Sequence, residues 1–181
     1  MIGYFINEAL YRDPGKLTDR AQGVLDSLGE TGDAIVDQLR VSSLENTHEI
    51  ATKFNHNVKI HYRPSVKQQI QIAIFDAESA KVLQAELSHE QFDISAVITR
   101  LNIHTGNGRL QIKDEGETVA FGFGTNYKEI AVEAKKIFSA NLDYNNGISQ
   151  EKWSYLRIAV SPFKLRDGRI VKYIVRAFYE K

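Results

Sequence analysis

Trp153, Tyr155, Arg157, Lys172 and Arg176 are the side chains of this 181-residue sequence whose types best suit a binding task. Aromatic faces stack on bases, and guanidinium or ammonium groups neutralise phosphates, so such a set on one surface suits single-stranded nucleic acid. Trp, Tyr and Arg equally dominate protein interfaces. Both uses require the five to share a face. A strand over Trp153–Val160, paired antiparallel with one over Arg169–Tyr179, supplies that face. Arg109 and Lys113 on a neighbouring strand extend the positive charge. In a third arrangement a helix or a first domain covers Trp153 and Tyr155, and they are structural only.

Other groupings carry less. The five histidines, His48, His56, His61, His89 and His104, have neither helical zinc spacing nor a carboxylate in a metal-binding order. They read as solvated or capping side chains. Asp114, Glu115 and Glu117 crowd a turn without calcium-loop spacing. Gly106-Asn107-Gly108 and Gly122-Phe123-Gly124 lack the lysine or third glycine of phosphate-binding loops, so they read as turns or bulges. Serine, histidine and aspartate are available for a hydrolytic triad, but no nucleophile-elbow sequence accompanies them. The absence of cysteine excludes disulfides, thiolate metal sites and cysteine nucleophiles. We therefore expect no catalytic residue, no metal, no cofactor and no enzyme.

The elements that must position the five binding residues lie in the second half. Alternation predicts strands over Ser95–Thr105, Arg109–Lys113 and Thr118–Phe123. Leu110 and Ile112 point inward on the second of these, and Val119, Phe121 and Phe123 on the third. Ile130, Ala131, Ala134, Ile137 and Phe138 form one stripe of a helix over Tyr127–Ala140. The two strands named above follow, joined at Asp167-Gly168, a strong two-residue hairpin signal. Three strands, a helix and two strands is the order of the five-stranded Greek-key barrel called the OB-fold.

Ala96-Val97-Ile98-Thr99-Arg100-Leu101-Asn102, through Gly106-Asn107-Gly108-Arg109-Leu110-Gln111-Ile112, resembles the opening of a cold-shock-type barrel. Val119-Ala120-Phe121-Gly122-Phe123-Gly124 stands where that family has its third strand. The resemblance implies a barrel. It implies RNA binding less, because the outward positions are Arg109, Gln111 and Lys113, then Ala120 and Gly122, where the family has stacking aromatics. The run from Phe75-Asp76-Ala77-Glu78 through Thr105-Gly106-Asn107-Gly108-Arg109, with Lys172-Tyr173-Ile174-Val175, is also similar to the C-terminal part of uncharacterised bacterial proteins. That likeness implies no activity, but suggests one portion of a larger system.

The first half reads differently. Tyr4, Phe5, Ala9 and Leu10 make a short apolar helical face before the Asp13-Pro14-Gly15 turn. A second helix runs over Thr18–Leu28, with Thr18 as N-cap and Gly29 at its end. A third follows Thr31-Gly32-Asp33; Val41-Ser42-Ser43 either interrupts it or does not, and Asn55-His56-Asn57 ends it. Val58, Ile60 and Tyr62 then alternate with Lys59, His61 and Arg63 as a half-exposed strand, and Gln69–Ile74 alternate as a second. The two form a hairpin around Pro64-Ser65-Val66, which can pair with a neighbouring sheet or another copy of the chain. Asp76 caps a short helix.

Hydrophobic residues at 43% and charged residues at 25% are ordinary for a globular protein. No apolar run suggests a membrane span, and the first residues lack the basic region of a signal peptide, so a cytoplasmic location is expected. The formal net charge is zero, with 9 basic and 13 acidic residues in 1–91 against 14 and 10 in 92–181. A neutral chain is a weak candidate for nucleic-acid binding, although its second half is mildly basic. The resulting expectation is an α+β protein. Residues 1–90 are a helical region with a β-hairpin and a short helix, and residues 91–181 an OB-like barrel. Its expected role is interaction or assembly in a bacterial multi-component system, with a protein partner or by self-association. Single-stranded nucleic acid bound through the seven residues named is the alternative.

Overall fold

The computed structural model describes residues 1–179, the side chains of Glu30, Val41 and Ser42 excepted. The chain is α+β and forms two compact units, Met1–Ala85 and Glu86 onward. No helix among the described residues is long and apolar enough to cross a membrane.

In the first unit, α1 (Ile2–Ala9) buries Tyr4, Phe5, Ile6 and Ala9. Arg40 caps its C-terminal end, donating to the Glu8 carbonyl at 2.9 Å and the Ala9 carbonyl at 3.0 Å. The Thr18 hydroxyl accepts the Ala21 N–H at the start of α2 (Asp19–Leu28). Gly29, at φ 50°, passes directly into α3 (Glu30–Gln38), so Thr31-Gly32-Asp33 lies inside a helix and does not precede one. Leu39–Ser43 is a π-helical turn leading into α4 (Leu44–Phe54), so the chain stays helical through Val41-Ser42-Ser43. Asn55, in the left-handed region at φ 53°, ends the run.

Strands β1 (Val58–Ser65) and β2 (Gln68–Phe75) form a separate two-stranded sheet. Only its root is buried: Ala73 and Phe75 join the core of Phe5, Leu10, Leu25 and Leu44. Short helix α5 (Ala77–Val82) begins with a capping box between Asp76 and Ser79.

The second unit is a closed five-stranded barrel. Its strands are β4 (Phe92–Leu101), β5 (Gly108–Ile112), β6 (Thr118–Phe123), β7 (Leu156–Lys164) and β8 (Ile170–Tyr179). They run in the order β4-β5-β6-β8-β7 and close from β7 back to β4. β6 and β8 are parallel; the other barrel pairs are antiparallel. This mixed order is OB-like. Two-residue β3 (Glu86–Leu87) continues the β4 side of β7, reaching Phe163 and Lys164. Pro162 lies between the two pairings. Its carbonyl accepts the Ser88 N–H, and its missing donor falls where the chain between β3 and β4 leaves the sheet.

Helix α6 (Val132–Asn145) lies between β6 and β7, after a 3₁₀ turn at Tyr127–Glu129. Phe138 packs against Phe121 and Phe123, and Ala134, Phe138, Asn141 and Asn145 are its buried positions. The two asparagines explain how the barrel is joined. Pairing of β7 with β4 ends at Ala96 and Leu156, and the same register two residues further on would set Ser154 opposite Ile98. Those two residues are instead bridged by one amide. Asn141 Oδ1 accepts the Ile98 N–H at 2.9 Å, and its Nδ2 donates to the Ser154 carbonyl at 2.7 Å. Asn145 accepts the Ser154 N–H at 2.8 Å and donates back to its carbonyl at 3.0 Å.

Replacing Asn141 by leucine strands the Ile98 N–H in a buried site. The expected loss is about 2–3 kcal/mol. Urea unfolding followed through Trp153, the chain's single tryptophan, should show a lower midpoint at unchanged slope. An unaltered midpoint would contradict this role.

Candidate functional site

The asparagine bridge determines where the five lead residues fall. β7 starts at Leu156, so Trp153 and Tyr155 are not on a strand, contrary to the sequence expectation. They lie in the unpaired stretch that Asn141 and Asn145 hold through Ser154. Trp153 is half-buried and donates its ring N–H to the Ile148 carbonyl at 3.2 Å. Tyr155 is half-buried with the Lys113 ammonium 5.8 Å from its ring centre.

The cations are dispersed. Arg157 sits opposite Tyr179 and Lys172 opposite Phe163, six residues along β7 and so about 20 Å apart. Arg157 donates to Asp93 Oδ2 at 2.8 Å and lies 5.1 Å from the Tyr179 ring centre. The Tyr179 hydroxyl donates to Asp93 Oδ1, and that hydrogen bond and charge hold its pKa above the ordinary value. Arg109 is committed to Thr118, donating to its hydroxyl at 2.8 Å and its carbonyl at 2.6 Å. Lys164 pairs with Glu90 and Arg169 with Asp167.

Lys172 and Arg176 do share a face. They lie over Gly122 in β6 and Gly124 just after it: a Cβ at Gly122 would meet the Lys172 Cε at 3.2 Å, and one at Gly124 an Arg176 nitrogen at 2.6 Å. Lys172 donates to Asn107 at 3.3 Å and Arg176 to Ser161 at 3.2 Å. Beside Arg176 is a half-open cavity of about 250 Å³, lined by Phe123, Ile130, Ala134, Val175 and Phe178 among others. Among the described residues, Arg176 is the one titratable side chain on its wall.

A serine–histidine pair exists in the first unit. His48 Nε2 is 2.7 Å from the Ser79 hydroxyl, and its Nδ1 is 2.6 Å from the Leu44 carbonyl. Both residues are buried, and the Ser79 hydroxyl also accepts the Asp76 N–H in the capping box. The Asp76 carboxylate accepts from Ser79, not from the histidine. The array therefore tethers α4 to α5. Among the described residues, no three His, Asp or Glu side chains gather where they can hold a metal ion.

The hairpin, expected from its sequence to pair with a neighbouring sheet or another copy of the chain, stands open. Every residue from Lys59 to Gln71 is exposed, so β1 is not the half-covered strand its alternation suggests. Ile60, Tyr62, Val66 and Ile70 stand in water, Val66 at 96% exposure. Lys59, Arg63 and Lys67 stand among them. Arg63 donates to Gln69 across the hairpin, and among the described residues none of the three pairs with a carboxylate. The charge count shows why: residues 50–75 hold four basic and no acidic residues, whereas residues 1–49 hold four and nine. That local count was available from sequence; a count over each half hides it.

Comparison of the chain with protein-family models, curated proteins and solved structures gives no match. The OB-like strand order thus stands on the topology itself.

Burial raises the Asp76 pKa, but the Ser79 N–H and hydroxyl, Arg12 and His48 together outweigh it and hold the carboxyl below the ordinary aspartate value. The unfolded chain then takes up this proton at a higher pH than the folded one does. The resulting stability is complete above the ordinary aspartate range and is lost as pH falls through the lowered folded pKa. Asp76→Asn keeps a good N-cap but removes the titration. Its urea midpoint should decline less than that of the parent chain as the solution is acidified, and parallel declines would exclude this linkage.

Proposed function

We propose that this chain is a non-enzymatic interaction or assembly protein whose contact element is the β1–β2 hairpin. The observation that carries this reading is the uninterrupted exposure of Lys59–Gln71, including four large apolar side chains. A two-stranded sheet with neither face covered is marginal by itself. Apolar surface left in water forgoes about 25 cal/mol per Å² that contact with a partner recovers. Phe54 at the end of α4, also exposed, adds apolar area four residues before β1.

A second reading, single-stranded nucleic acid on the barrel, is favoured by one observation. Lys172 and Arg176 share the flat face over Gly122 and Gly124, beside a cavity containing Phe123 and Phe178. A backbone track with one base-sized recess needs those components. It does not use Trp153, Tyr155 or Arg157.

A photo-reactive amino acid in place of Val66 should form adducts in cells, whereas the same residue in place of Tyr144 on α6 or Thr125 beside the cavity should not. Adducts from Thr125 alone would favour the second reading. Absence of any adduct from Val66 would end the first.

A further inference from the structure

We infer that the β1–β2 arm is a double-stranded DNA-binding ribbon, which rests on the arm being the contact element. Four observations lead there. First, its charge is positive and unopposed: Lys59, Arg63 and Lys67 share the exposed stretch with His61, and no carboxylate lies between Ile50 and Phe75. The barrel cations contrast with this, since Arg157, Lys164 and Arg169 each have a carboxylate partner.

Second, the strand edges are poorly suited to pairing with another chain. β1 carries Pro64, and its register with β2 is irregular between Ile60 and His61 and again between Tyr62 and Ser65. Such features blunt an edge. Two arms side by side would also oppose three cations with three. Contact through side chains with an anionic partner remains.

Third, the same exposed stretch carries hydrogen-bonding side chains that serve base edges and phosphates: His61, Ser65, Gln68, Gln69 and Gln71. Val66 at the turn supplies an apolar tip for a thymine methyl.

Fourth, the dimensions agree. The seven residues Lys59–Ser65 reach roughly 20 Å, and a two-stranded ribbon fits the B-DNA major groove of about 12 Å width. The major groove of duplex RNA is too narrow to admit it. Tyr62 and the His61 imidazole are the aromatic rings on the exposed stretch from Lys59 to Gln71, so it lacks the row of stacking rings that favours single strands.

The test is fluorescence anisotropy of the full chain with a labelled mixed-sequence duplex roughly 20–25 bp long, about two helical turns. Three phosphate contacts predict a log–log salt slope of about −3, so binding at about 200 mM salt should be roughly 40-fold weaker than at about 50 mM. The variant Lys59→Gln/Arg63→Gln/Lys67→Gln alters exposed side chains only, and its thermal midpoint should match the parent's. It should lose at least about 30-fold at low salt and flatten the slope. Lys172→Gln/Arg176→Gln should bind like the parent, and an RNA duplex of the same sequence should bind more weakly.

Parental binding by the arm variant, loss only in the barrel variant, or no binding at low salt would each overturn the inference. The Val66 adducts separate this failure from failure of the contact-element reading. Nuclease-sensitive adducts support DNA. Nuclease-resistant adducts, or a doubled mass in sedimentation that the arm variant abolishes, leave the arm as a contact for protein or a second copy and reject DNA. Absence of adducts rejects both.

Discussion

One side-chain amide stands in for a rung of the β-ladder, and the second unit is built around it. In a closed barrel each strand needs a partner on both sides, yet β4 and β7 must separate where helix α6 enters. Ile98 N–H and the Ser154 carbonyl are the groups left without each other. The Asn141 amide presents an acceptor to one and a donor to the other, so the hydrogen-bond path continues through the side chain. A hydroxyl is too short for this span, and an apolar residue would leave buried polar groups unpaired. The same contact seats α6, and with it Phe138 against Phe121 and Phe123.

That separation also shapes the surface. Trp153 and Tyr155 flank the bridged Ser154, so they are turned into support for the loop and cannot join the β8 cations. Part of the charge on the barrel is neutralised locally: Asp93 engages both Arg157 and Tyr179, Glu90 pairs with Lys164 and Asp167 with Arg169. A cation already held by a carboxylate offers little to a phosphate, because the new contact must first replace the old one. Counting positive residues in the second half therefore overstates its attraction for polyanions, just as a net charge of zero understates that of the hairpin.

The legible parts of the fold were those with local causes. Thr18 and Asp76 cap helices because a short side-chain oxygen can reach the next turn's N–H, which depends on nearby residues only. Val119, Phe121 and Phe123 alternate because one face of β6 is inside. Asp167-Gly168 turns the chain as its type requires. The illegible parts had distant causes. Asn141 and Asn145 continue the stripe of Ala134 and Phe138 at helical spacing, but an apolar count drops them, and their partners lie on β4 and in the loop before β7. Val41-Ser42-Ser43 stays helical through a π turn, although its residue types weaken a helix. Alternation in Val58, Ile60 and Tyr62 indicated a strand correctly but not that nothing covers it, since periodicity reports a pleat and burial reports a neighbour.

The hairpin is better suited to binding because it is unequal along its length. Its root is fixed: Phe75 is buried against the His48 ring at 5.0 Å, Arg12 donates to the Ile74 carbonyl, and the residue following β2 is Asp76 of the capping box. The buried hydrogen bond between His48 and Ser79 joins that box to α4. The direction in which the strands leave the unit is thus set by packed and fully bonded groups. Beyond Ile72 the sheet is held by its own ladder alone. A partner then has to order side chains more than backbone, which is the smaller entropic cost of association. The tip is therefore free to adapt its side chains while the root keeps it aimed, which is what the proposed contact element requires.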